Sequence, residues 1–259
     1  MRRRAALIAL STAVPMAALA APRPAGAHPV KDLERRLHDR ELYFEPVQAR
    51  PAPEFALQNA EGRPVRLADL RGRAVVLHFV YANCPDVCPL NADLIARGQE
   101  AVNRTPMRER VRFITVTTDP ERDTPDVMRG FGAAHGLDRA NWTFPTSGAG
   151  RPEEGRRFAA AHGLVFVPMP EGMQMHAVVT HVIDREGRLR AKFHGLDFDP
   201  ANLVRYVDAL AQDDRAEARG APPPAAPARS LRERLRGLLW PDAGFGPDPT
   251  RRSPSAGAS

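Results

Sequence analysis

Cys84 and Cys88 are the only two cysteines of the 259-residue chain, and they stand in the stretch Cys84-Pro85-Asp86-Val87-Cys88-Pro89. Two thiols at this spacing can close a small disulfide, exchange with a partner's disulfide, or hold a soft metal ion. A structural bridge draws its stabilisation from closing a long loop, so a pair this close gains little from one. Redox or metal chemistry is the better reading. The pair follows the apolar run from Ala74 to Tyr81, which reads as a buried strand. Pro89 suits the first position of a helix, which makes Cys88 the expected N-cap and Pro85 to Val87 an irregular turn. A helix N-terminus favours negative charge, so the thiolate of Cys88, and with it that of Cys84, is expected to be stabilised.

The elements around the pair follow from apolar periodicity and turn residues. Phe55-Ala56-Leu57 and Val65-Arg66-Leu67 flank Glu61-Gly62 and read as a β-hairpin. The strand 74–81 leads into a helix from Pro89 to about Asn103, and Val111 to Thr117 reads as a second central strand. Thr124 caps a helix over about 125–135 that stops at Gly136. A short strand at Trp142 to Phe144, a helix from Pro152 to His162, a strand pair at 177–183 and 189–194, and a helix over about 201–212 complete the series. Strands alternating with helices predict an α/β sandwich. A dithiol at the end of its first core strand makes the fold thioredoxin-like, with an N-terminal β-hairpin.

Residues 1–27 read as a secretory signal peptide, with Arg2-Arg3-Arg4, an apolar stretch and Ala25-Gly26-Ala27 as cleavage site. Retention as an anchor is the alternative. Export predicts an oxidising compartment, the periplasm or the outer face of the inner membrane. Residues 28–53 read as a helix or linker outside the main domain, which is placed at 54–213. Residues 214–259 form a Pro/Ala/Arg-rich tail, with a basic amphipathic helix at 230–240 that could lie on a membrane surface. The net charge of +6 sits in the termini, since residues 28–214 alone carry −2. Nothing in this distribution argues for nucleic acid.

Two thiolates select Cu(I) among common cations, but alone they leave it under-coordinated, so an imidazole is expected to complete the set. Structural zinc wants four protein ligands and is disfavoured. Of the eight histidines, His135 and His162 read as helix-end or surface residues, His78 as a core residue and His194 as a strand end near the surface. His176 opens the strand 177–183 after an irregular loop and can point toward the dithiol. His181, five residues on, falls on the opposite face. Met173 and Met175 lie in the loop before His176. Thioethers also bind Cu(I), although apolar filler is the commoner reason for methionine.

The segment Phe79 to Pro89 resembles the signature of the Sco/SenC family. Gly62 to Val65, Leu67 to Gly72 and Thr118 to Pro125 are also similar to the family's pattern, and the resemblance covers about residues 54–213. It implies a thioredoxin-like, extracytoplasmic copper chaperone that assists assembly of the CuA centre of cytochrome c oxidase. Copper delivery, reduction of that centre's cysteines, or both would be the means. The partners implied are oxidase subunit II or another copper enzyme, and other copper carriers. Copper would sit on Cys84, Cys88 and His176. Asp119, Pro85 and Asp86 would support the site, while Met173, Met175 and His181 are secondary candidates. The chain departs from the family's pattern at Ala177, where Ser or Thr is usual, and at His181, where an aromatic is common. The rival function is a thiol–disulfide reductase using the same two cysteines, against which three intervening residues speak.

Overall fold

The computed structural model describes residues 29–165, 167–169 and 174–213. The expected signal peptide, the 230–240 helix and Met173 lie outside the described residues. Among those described, no helix is long and apolar enough to cross a membrane.

The organising strand is β4 (Ala74–Val80), every residue of which is buried. Its side chains alternate between two cores. Ala74, Val76 and Val80 enter one with Ile95, Leu203 and Tyr206, while Val75, Leu77 and Phe79 enter the other with Leu57, Leu67 and Phe158. A strand covered on both faces reads as a continuous apolar run, as this one does. It pairs in parallel with β5 (Val111–Thr117), which pairs in parallel with β6 (Trp142–Thr143). On its other side β4 pairs antiparallel with β9 (Val179–Ile183), followed by β10 (Arg188–His194) and β1 (Phe44–Pro51). The β2 (Ala56–Gln58) and β3 (Pro64–Arg66) hairpin turns through Gly62, whose φ of +74° suits glycine. A two-stranded ribbon of β7 (Val167–Pro168) and β8 (Gln174–Met175) precedes β9.

Helices α1 (Pro29–Arg40), α2 (Val87–Asn103), α3 (Pro125–Ala134) and α5 (Pro200–Ala211) send their buried residues into the first core. Helix α4 (Pro152–Ala161) sends Phe158 into the second. As expected, Thr124 caps α3, its hydroxyl accepting from the Val127 N–H at 3.4 Å.

Two expectations need correction. Residues 28–53 are not outside the domain: β1 is an edge strand of the main sheet, and Val30 and Leu37 of α1 are buried in its core. Pro46 and Pro51 disguise the strand, yet an edge strand tolerates proline, and its register shifts between Pro46 and Arg50. His162 is not a surface residue. It does stand at the C-cap of α4, but its side chain packs between Phe158 and Phe79 and is buried.

Three histidines are buried in the cores. The Thr115 hydroxyl accepts from Trp142 Nε1 at 2.8 Å and shares a hydrogen bond with His78 Nε2, also at 2.8 Å. His162 Nδ1 donates to the Phe158 carbonyl at 3.1 Å, and His181 Nε2 donates to the His162 carbonyl at 3.2 Å. Burial pushes His78 and His181 down to about 3 and His162 to about 4, so all three are neutral. Unfolded histidines take up protons near pH ~6.5 and the buried ones do not, so stability is level above that pH. Below it, stability should fall by about 1.4 kcal/mol per pH unit for each of these histidines until its folded value is reached. Urea midpoints measured from about pH 7.5 to about pH 5 should drop accordingly, and a level midpoint would contradict the neutral, buried assignment.

Candidate metal centre

Both cysteines are buried, unbridged, and part of the first core. Helix α2 starts at Val87 with Asp86 as N-cap residue, so Cys88 is the second helical residue and Pro89 the third. The expected Cys88 cap is thus two residues late. Pro89 is tolerated because first-turn N–H groups have no helical partner to lose.

That shift changes which sulfur takes the charge. Cys84 lies in the turn facing the helix N-terminus. Burial raises its pKa, but bonds from the Asp86 N–H, the Cys88 thiol, the Cys88 N–H and the Tyr81 hydroxyl more than offset this, leaving it below the ordinary thiol value. Cys88 goes the other way. Its burial, its bond to Cys84 and the nearby Asp123 carboxylate together push it far up. The resting pair is one readily ionised sulfur and one firmly protonated sulfur.

A buried carboxylate fixes the turn. Asp123, 2% exposed, accepts from the Ala82 N–H at 3.1 Å and from the Thr117 hydroxyl at 2.5 Å. Burial raises its pKa even so. Asp119, the expected supporting residue, is also buried, but its carboxylate pairs with Arg122 at 2.5 Å, while its N–H donates to Thr117 at 2.9 Å. Asp119 therefore supports at one remove, through Thr117. Pro85 and Asp86 are exposed in the turn, and the Asp86 side chain makes no capping bond. Asp123 carried no role in the sequence reading, because an acid in a polar loop looks solvated.

His176 precedes β9 and is half-buried. Its Nδ1 meets the Ala177 carbonyl at 3.0 Å, which places the proton there and the lone pair on Nε2. Burial lowers its pKa, favouring the neutral ring that binds metals. Tyr81, which bonds Cys84, has its ring edge-on to His176 with centroids 6.3 Å apart. The Tyr81 hydroxyl accepts from the Gln174 N–H at 3.2 Å, and its one proton is shared between Cys84 and the Gln174 carbonyl, the latter at 3.3 Å. The structure thus gathers Cys84 and Cys88 and sets His176 against the ring of Tyr81. Among the described residues, no three His, Cys, Asp or Glu side chains are close enough to hold an ion together. Met175 is exposed beside His176, and His181 is buried in the other core against Phe79.

The sequence model of SCO1/SenC matches residues 45–212. The chain belongs to the SCO1/SenC family. The match begins inside β1, in keeping with that strand's place in the sheet. A SCO1 protein homologue of Bacillus subtilis is 27% identical over 148 residues, 56% of this chain and 75% of that one. A SCO2-like protein of Rickettsia felis is 30% identical over 161 residues, 60% of this chain and 74% of that one. Among solved structures, a SCO1/SenC family lipoprotein of Bacillus anthracis aligns with a TM-score of 0.58 at 23% identity, over 65% of this chain and 98% of that one. Copper-bound ScoI of Bradyrhizobium japonicum aligns with a TM-score of 0.52 at 24% identity, over 62% and 99%. The thioredoxin-like fold expected from the sequence is the fold this SCO1/SenC chain has.

Two outcomes follow from the site's bonds. Tyr81→Phe removes a donor to Cys84 and should raise that thiol's pKa, read as slower iodoacetamide alkylation of Cys84 at neutral pH. Cys88 should react slowly in both proteins, and a Cys88 that alkylates first would overturn the assignment. Asp123→Ala strands the Ala82 N–H and the Thr117 hydroxyl and should destabilise the fold by ~1–3 kcal/mol in urea unfolding.

Proposed function

We propose that this chain is an extracytoplasmic copper-binding protein that serves assembly of a respiratory cytochrome c oxidase, by bringing copper to its CuA centre in subunit II. Copper is cargo in this reading, held by Cys84, Cys88 and His176. The observation that carries it is the donor set: two buried sulfurs of unequal acidity, joined through Tyr81 to an imidazole whose proton is parked on Nδ1 by a backbone carbonyl. Soft sulfur with one imidazole suits Cu(I), and a carbonyl-bound Nδ1–H is the usual outer partner of a ligating histidine.

Related structures support this. Those from Bradyrhizobium japonicum, Arabidopsis thaliana and yeast contain copper, and BsSco is described as a member of the Sco family of cytochrome c oxidase assembly proteins. The basic-apolar N-terminal pattern supports export, as does the lipoprotein nature of the Bacillus anthracis relative. This chain has no cysteine before Cys84 to carry a lipid.

Binding proceeds from the resting pair. Cys84, the more acidic thiol, and Cys88 bind as thiolates, giving up whatever protons they hold to solvent, and His176 offers Nε2 as donor. Affinity for Cu(I) should therefore rise with pH.

The unequal thiols favour a second reading, in which Cys84 attacks a partner disulfide and Cys88 resolves it. The two are separated by His176. The reduced chain should bind stoichiometric copper, and Cys84→Ser, Cys88→Ser and His176→Ala should each abolish tight binding in chelator competition. Stoichiometric copper on His176→Ala would sink the third-ligand assignment. Reductase activity that copper inhibits and His176→Ala leaves intact would favour the second reading.

A further inference from the structure

The β7–β8 ribbon pairs Val167 with Met175. Paired residues share a face, so Val167 and Met175 point the same way, and Met169 directly follows β7. The exposures of Val167, Met169 and Met175 agree, at 43%, 42% and 59%. Gln174, one residue from Met175, turns inward instead and donates to the Thr118 carbonyl at 3.4 Å. Met169 follows Pro168, which pairs with Gln174, the residue before Met175, so the two methionines stand at the same end of the ribbon. The ribbon is fastened to the site: Gln174 bonds Tyr81, Tyr81 bonds Cys84, and Met175 directly precedes His176.

Packing does not account for these methionines, because both are exposed. Their sulfurs are soft, neutral donors at the rim of a centre built from soft donors. We propose that Met169 and Met175 form an entry site for Cu(I), which receives the ion at the surface and passes it to Cys84, Cys88 and His176. This rests on the copper reading of the centre. The ion stays Cu(I) throughout, so no oxidant or reductant takes part. Bonds from copper to the two thioethers break as bonds to the two sulfurs of the dithiol form, and the Cys88 proton leaves to solvent. Uncharged thioethers exchanging for charged thiolates make the inward step the favourable one.

The test separates sulfur from mere hydrophobicity. In the full chain carrying Cys84→Ser and Cys88→Ser, Ag(I) serves as a redox-silent probe while the methionine ε-methyl resonances are followed. The Met169 and Met175 signals should shift together, and unmoved signals overturn the entry site. This arm does not need the dithiol, so it stands apart from the copper reading, which fails if the unaltered chain takes up no stoichiometric copper. In the second arm, Cu(I) is supplied from a coloured chelator to a chain with intact cysteines. Met169→Leu with Met175→Leu should slow loading several-fold while final occupancy is unchanged. Loading at the unaltered rate overturns the proposal. If, in addition, the Met169→Gln, Met175→Gln chain loads slowly, the face is an apolar contact and not a copper site.

Discussion

The carboxylate of Asp123 is the contact on which the centre depends. A charge buried to this degree is tolerated only when its lone pairs are filled, and the Ala82 N–H and the Thr117 hydroxyl fill them. Those two donors belong to different strands. Ala82 follows the end of β4 and Thr117 ends β5, so one side chain clamps the tips of the two parallel strands beside the dithiol turn. The clamp is reinforced by the Thr118 N–H, which donates to the Val80 carbonyl at 2.9 Å. Without it, the turn from Tyr81 to Asp86 would have few backbone bonds to define it, chiefly the Cys84 N–H to the Tyr81 carbonyl at 3.2 Å.

The same carboxylate helps divide the work between the thiols. Its charge opposes ionisation of Cys88, while the amides at the start of α2 favour ionisation of Cys84. A pair with both sulfurs ionised would carry two buried negative charges side by side in the absence of metal. One proton retained on Cys88 avoids that, and makes proton release part of metal capture. The start of α2 and the burial of Cys88 thus make Cys84 the more acidic of the pair.

Long, patterned segments were legible in the sequence, and features decided by a single residue of register were not. β5 matches its expected span from Val111 to Thr117, and β4 and α2 match within two residues, because apolar period and proline placement both point the same way. β1 escaped because two prolines interrupt it and its pairing partner, β10, lies far along the chain. Of the two thiols expected to be acidified, Cys84 is and Cys88 is not, because burial, Cys84 and Asp123 oppose ionisation of Cys88. His162 looked like a helix-end residue and is one, but only the packing of α4 on Phe79 buries it. The β7–β8 ribbon pairs two residues with two, too short for any pattern to show.

Under the proposed copper reading, a third ligand set apart from the dithiol would give the centre a means of release. A chelate whose ligands are all in place holds a soft ion so firmly that hand-off is slow. Here two sulfurs are together, and His176, the proposed third donor, is held by its own neighbour's carbonyl against the ring of Tyr81. The apparent affinity is the intrinsic affinity multiplied by the fraction of time His176 is in position, so any contact that draws Gln174 and His176 outward weakens the grip. Tyr81 is the pivot of that balance. Its hydroxyl touches the loop at Gln174 and the dithiol at Cys84, so a change in the loop is felt at the sulfur. In the copper reading, a partner that engages the exposed ribbon would act on His176 through the loop, and release would then follow from docking without any change in the oxidation state of the ion.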